Sequence, residues 1–190
     1  MKTSLMIMLI SITSLVQLQA QDQATLDTEK SNLYWMGTSF MGFNSHHGSV
    51  KFKEGHLTLF DGKIDGGTFL VDMVTITNLD GKGYNKGLVD HLQNEDFFFT
   101  FRYPTAQLNI TNVTYKNKTE IVVDADLIIK NIKKPITFMA LLDYDNKEFL
   151  ANFSIDRTRW NILHATRFET SVKDNMLSDS IEFKAHLVFK

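Results

Sequence analysis

The chain has 190 residues, 43% hydrophobic and 22% charged, which suits one domain with a real core or at most two small ones. Its formal net charge is −2 and its lysines and arginines form no cluster, which excludes a nucleic-acid-binding surface. Cysteine is absent, so neither a disulfide framework nor a lipid-modified N-terminal cysteine is available, and phenylalanine, at 15 copies, is the compositional outlier.

The N-terminus has the form of an export signal. Lys2 precedes a mostly apolar run from Leu5 to Leu18, and Ala20 supplies the small residue at a cleavage site. The run falls short of the about 20 apolar residues a spanning helix needs, and Gln21-Asp22-Gln23 follows at once. Residues 1–20 are therefore expected to be removed, leaving a single domain over 21–190. Export without cysteine favours a bacterial envelope protein of the periplasm over a eukaryotic secreted one. The Asn-x-Ser/Thr triplets at Asn109, Asn112, Asn117 and Asn152 then carry no glycan.

Beyond the signal the dominant period is two. Ile121, Val123, Ala125, Leu127 and Ile129 alternate with Asp124, Asp126 and Lys130, and Ile181, Phe183, Ala185, Leu187 and Phe189 with Glu182, Lys184 and His186. Phe149, Ala151, Phe153 and Ile155 alternate likewise, and Val50 and Phe52 interleave with Lys51 and Lys53. Such runs are half-buried antiparallel strands. Strands are expected near 25–37, 47–53, 55–60, 67–77, 97–113, 119–130, 134–144, 147–157 and 180–190. Turn residues such as Asp61-Gly62 and Asp80-Gly81 punctuate them. The one helical stretch is Tyr84 to Asn94. In the aromatic run that follows, strand alternation would put Phe97, Phe99, Phe101 and Tyr103 on one face and Phe98, Thr100 and Arg102 on the other.

Long strands with one apolar face must stack as two sheets or close on themselves. Closure removes exposed edges, and about eight strands enclose room for one small ligand. The fold class expected is all-β, an antiparallel β-barrel of about eight strands with one short helix; a β-sandwich is the alternative. The inward stripes are then the candidate lining: Phe69, Val71, Met73, Phe99, Phe101, Ile121, Val123, Leu127, Phe183 and Leu187. A filled barrel would use the same residues as core, so the pattern leaves a hollow and a packed interior open.

Catalytic chemistry has little support. His46 and His47 are strand neighbours whose side chains should point to opposite faces, so they should not converge on one ion. His91 has no nucleophile motif beside it and is read as structural. Asp124 and Asp126 read as a solvated strand face; Arg157 and Arg159 read as surface charges beside Asp156, with contact to a lipid phosphate at a barrel mouth as the alternative. There is no Gly-x-Ser-x-Gly, phosphate loop or paired-carboxylate motif.

Five motifs in order carry a resemblance. They are Leu33-Tyr34-Trp35-Met36-Gly37 with His46 to Phe52, and Gly67 to Met73. His91-Leu92 with Phe97-Phe98 and Tyr103-Pro104-Thr105-Ala106 follows, then Asp126 to Phe138, then Ile155 to Ile162 with Arg157 and Trp160. Together, over roughly 26–190, they resemble the YceI-like family. Asn131 and Asn161 stand where that family usually has glycine; asparagine tolerates positive φ well enough to keep a turn. The resemblance implies a lipocalin-like barrel exported to the periplasm, with an elongated apolar cavity for a polyisoprenoid lipid such as a prenyl phosphate or quinone. It implies no catalytic residue; no metal or cofactor is expected from the residues themselves. The expected partner is that apolar lipid, with no nucleic acid and no stable membrane insertion; a homodimer stays open. The competing expectation is an exported β-sandwich acting through surface contacts.

Overall fold

The structure is a computed structural model that describes residues 22–39, 44–81, 86–164 and 177–190. The expected export signal and Tyr84, the start of the expected helix, lie outside the described residues.

Among the described residues nine strands and one α-helix form in chain order: β1 (Asp22–Thr25), β2 (Asn32–Ser39), β3 (Ser45–Phe60), β4 (Lys63–Asp72), α1 (Lys86–Gln93), β5 (Thr105–Tyr115), β6 (Glu120–Ile129), β7 (Ile132–Asp143), β8 (Glu148–Asp156) and β9 (Leu177–Val188). Every pairing is antiparallel. The order runs β3-β2-β9-β8-β7-β6-β5-β4, and β3 also pairs with β4, so eight strands close into a barrel. Closure leaves no pair of stacked sheets, and the sandwich alternative does not hold.

Three expectations about strands are corrected. The strand expected over 25–37 is two strands in one lane. Thr25 pairs with His56 and Leu33 with Val50 on the same edge of β3, and a turn closed by the Ser31 N–H on the Asp27 carbonyl separates them. Conversely, the strands expected at 47–53 and 55–60 are one. The apolar phase changes from Val50 and Phe52 to Leu57, because the register of β3 against β4 shifts between Phe52 and Glu54. A bulge there lets a 16-residue strand bend around the barrel without breaking.

The third correction is the aromatic run. Residues 97–103 are not a strand; β5 begins at Thr105, after Pro104. The amides of Phe97 and Phe99 donate to the Asn94 carbonyl, that of Phe98 to Leu92 and that of Thr100 to Gln93. The chain thus folds back on the end of α1 and spends its hydrogen bonds locally. Phe99 takes a left-handed conformation, φ 48°, which ends any alternation. Neighbouring Phe97 and Phe98 are both buried, an arrangement a strand with one wet face does not produce.

The turn residues behave as their chemistry dictates. Asp61 and Gly62 (φ 53° and 73°) join β3 to β4, and Lys130 and Asn131 (φ 51° and 60°) join β6 to β7. Both are two-residue hairpins that need positive φ twice. Asn161 is also left-handed, φ 55°, and closes the 3-10 turn Arg157–Trp160 that follows β8.

The two ends of the barrel differ. At one end β6 begins, with Ile121 opposite Tyr115 and Ala140. Ile121 and Val123 have no exposed surface and, with buried Leu57, Ile64 and Leu142, fill this end. The Tyr115 hydroxyl accepts the Ile64 N–H at 2.6 Å across the same end, and burial, then Tyr144, pushes that phenol up to about 12. At the other end lie two long connections. The β4–β5 excursion carries the 3-10 turn Met73–Thr75, α1 and the aromatic run; the β8–β9 excursion carries the 3-10 turn Arg157–Trp160.

Candidate functional site

Above the plug the barrel is hollow. A cavity of about 460 Å³ opens between the walls and the two excursions, within the range of sites that take a small organic ligand. Of the expected lining residues, Phe69, Val71, Met73, Leu127, Phe183 and Leu187 border it. Ile121 and Val123 do not; they face inward but belong to the plug. Phe99 and Phe101 are corrections. Neither lines the cavity, and Phe101 is 94% exposed, because the turn structure of 97–103 aims it outward.

Two lining phenylalanines, Phe138 on β7 and Phe153 on β8, were not singled out from sequence. They stack in series with the expected Phe183 on β9, with centroids 4.9 and 5.3 Å apart and planes within 26° and 22°. Adjacent strands bring their rings together, since Phe153 is the register partner of Phe183. The alternation of Phe149, Ala151, Phe153 and Ile155 carried the signal for Phe153. Small residues, among them Ala106, Ala151 and Ala185, keep the interior open between the rings.

The cap over the open end is stitched from both excursions. On α1, Val89 and Leu92 are buried beneath the helix, and the Gln93 side chain donates to the Val74 carbonyl at 3.1 Å. Trp160 is fully buried and donates its indole N–H to the Leu127 carbonyl at 3.2 Å. The Lys130 ammonium reaches the carbonyls of Glu95 at 3.4 Å and Asn161 at 3.3 Å, and so ties one excursion to the other. Burial lowers its pKa, against the pull of Asp96.

Arg157 is the other strut, and it is not the surface charge expected from sequence. It is 1% exposed and borders the cavity. Its Nε donates to the Ser178 carbonyl at 3.0 Å, and its Nη1 to the carbonyls of Ile162 at 2.8 Å and His164 at 2.9 Å. Asp179 faces Nη2 at 3.8 Å. A guanidinium with five donors in a rigid fork suits this task of holding a loop against β9. Arg159 bonds the Pro135 carbonyl at 2.7 Å.

His91 lies under the cap, beside His164 and Phe97. Burial, and next the neighbouring His164, lowers its pKa, with Asp96 opposing. The histidine pair of β3 gives a different result from the one expected. Both imidazoles reach the same carboxylate: His46 Nδ1 and His47 Nδ1 meet the two oxygens of Asp80, the latter at 2.9 Å, and the His47 amide adds a bond at 2.8 Å. Alternation separates the two faces, but Asp80 sits at the strand edge, in the lane beside β3, within reach of both. Burial raises the Asp80 carboxyl; hydrogen bonds from His46, Asn78 and the His47 amide, with attraction to His46, outweigh it and leave about 2. Among the described residues no group of three or more such side chains is placed to hold a metal ion.

The family profile described as a YceI-like domain matches residues 25–189. The chain belongs to the YceI-like family. Among curated relatives it is similar to a UPF0312 protein of Shewanella denitrificans, 29% identical over 109 residues (52% of this chain, 53% of the relative). It is also similar to a UPF0312 protein of Pseudomonas putida strain W619, 26% identical over 110 residues (58% and 56%). These alignments span little more than half the length of the curated relatives. Among solved structures, BcnA of Burkholderia cenocepacia superposes with a TM-score of 0.70 at 18% identity, over 86% of this chain and 98% of BcnA. The YceI protein of Campylobacter jejuni superposes at 0.56 and 19%, over 74% and 84%. Both share the fold of this YceI-like barrel.

Proposed function

We propose that this YceI-like protein binds the tail of an apolar, isoprenoid-type lipid inside the barrel and carries or sequesters it in the periplasm. The observation that supports this reading is the cavity. It is blind at the end plugged by Ile121 and Val123, walled by stacked phenylalanines, and roofed at the other end by α1 and residues 157–164. Such a space rewards a flexible hydrocarbon chain, at roughly 25 cal/mol per Å² of apolar area removed from water. Family membership supports the same reading.

Binding rather than turnover fits the side chains. Among the described residues His46, His47 and His186 pair with carboxylates and His91 and His164 with aromatic rings, and no histidine is hydrogen-bonded to a serine or threonine hydroxyl of the kind a nucleophile–base pair needs. No helix of the described residues is long and apolar enough to cross a membrane.

Native mass spectrometry of the protein, purified from its own envelope without detergent, tests the reading. A bound apolar mass released on activation is the expected result. A chain uniformly free of ligand overturns it.

A further inference from the structure

The apolar cavity meets a pair of imidazoles under its cap. His91 comes from α1 and His164 from the segment after the 3-10 turn Arg157–Trp160, and both border the cavity. Their ring centroids lie 4.4 Å apart at 75°, and Phe97 packs against both, at 5.1 and 5.4 Å. The Arg157 hydrogen bond to the His164 carbonyl fixes one partner, and the helix fixes the other. Among the described residues neither imidazole has a hydrogen-bond partner for its ring nitrogens. An apolar chain in the barrel would leave those nitrogens without water and without a partner, which is costly.

We propose that His91 and His164 form the head-group subsite of the cavity and that they select an uncharged hydrogen-bonding head, a hydroxyl, ketone or primary amide, over a phosphate. The inference rests on the reading of the cavity as a lipid site. A neutral imidazole offers one donor and one acceptor, the complement of a hydroxyl or carbonyl. Burial and the neighbouring ring keep His91 toward its neutral form. A phosphate would need cationic donors in exchange for its lost hydration. Arg157, the one cation among the described lining residues, already gives Nε and Nη1 to three backbone carbonyls and faces Asp179. The hydrogen bonds on offer to a head group therefore come from the two imidazoles rather than from a guanidinium or an ammonium.

Three probes with one tail isolate the head: farnesene, farnesol and farnesyl phosphate. Each is titrated into the full mature chain and followed by tryptophan fluorescence, because Trp35 borders the cavity. Farnesol is expected to bind about tenfold more tightly than farnesene or farnesyl phosphate, as one or two net hydrogen bonds imply. In the double variant His91→Leu, His164→Leu the preference for farnesol over farnesene falls to about one. Farnesyl phosphate binding as tightly as farnesol overturns the head-group inference and leaves the lipid site standing; so does an undiminished preference in the double variant. If none of the three binds, the lipid reading fails and the subsite with it. The wild-type ratios decide the matter even where the double variant does not fold.

Discussion

Single residues decide where this barrel closes and where it stays open. Gly48 of β3 has no room for a side chain: a Cβ there would lie 1.8 Å from the Thr77 carbonyl oxygen and 2.6 Å from the Trp35 ring. The close approach of a neighbouring lane and a lining aromatic therefore depends on glycine at that point. Gly48→Ala should destabilise by at least about 1–3 kcal/mol, read as a lowered midpoint in urea. The aromatic run offers a sharper contrast. Phe97 is buried under the cap and Phe101 projects into solvent. Phe97→Ala should cost about 3–5 kcal/mol, and Phe101→Ser should stay within about 0.5 kcal/mol of the parent. Equal costs would mean that the run is a strand after all. Residue chemistry made some of this legible from sequence: Asn131 and Asn161 do take the left-handed turns for which asparagine is suited. For the aromatic run it misled, because period two was extended past Asn94-Glu95-Asp96 into a segment whose backbone bonds return to the helix.

At the scale of elements, the legible parts are those whose environment is uniform along their length. β6, β7 and β9 have one dry and one wet face throughout, so alternation places them within a few residues. β3 does not, since its bulge moves the apolar positions from even to odd. The strand expected over 67–77 ends early, at Asp72, and alternation did not place the 76–80 segment as a separate piece. That segment follows the 3-10 turn Met73–Thr75 and continues the lane of β4, with the Thr77 and Leu79 amides donating to the Ser49 and His47 carbonyls, both at 2.8 Å. Its end is clasped by the two histidines on Asp80. Asp80→Asn should loosen the strap, so that hydrogen exchange at the Thr77 and Leu79 amides quickens while that of β6 amides does not change. The folded-state carboxyl sits below its ordinary value of 3.8, at about 2. Its contribution is thus fully present above pH about 4 and is lost as the pH falls from there through about 2. The exchange difference between parent and variant should accordingly disappear in acid; a difference that grows in acid would refute the clasp.

For the whole molecule, period two specifies which residues face inward but not whether they meet. Ile121 and Leu127 lie on the same stripe of one strand, yet the first plugs the barrel and the second borders the cavity. What separates them is height along the barrel axis, set by the stagger of eight strands and by where the small residues Ala106, Ala151 and Ala185 fall on their neighbours. Neither is encoded in any one strand. The central claim is that the hollow part of the barrel is the binding site. Ala185 pairs with Leu33 and Ala151 and borders that space, so a ring added there would occupy it. The direct measurement is farnesol affinity in Ala185→Phe, alongside its thermal midpoint. The account predicts a folded protein with affinity reduced at least about tenfold, the order of a lost apolar contact of one to two kcal/mol. A folded Ala185→Phe protein that binds farnesol as tightly as the parent would contradict it.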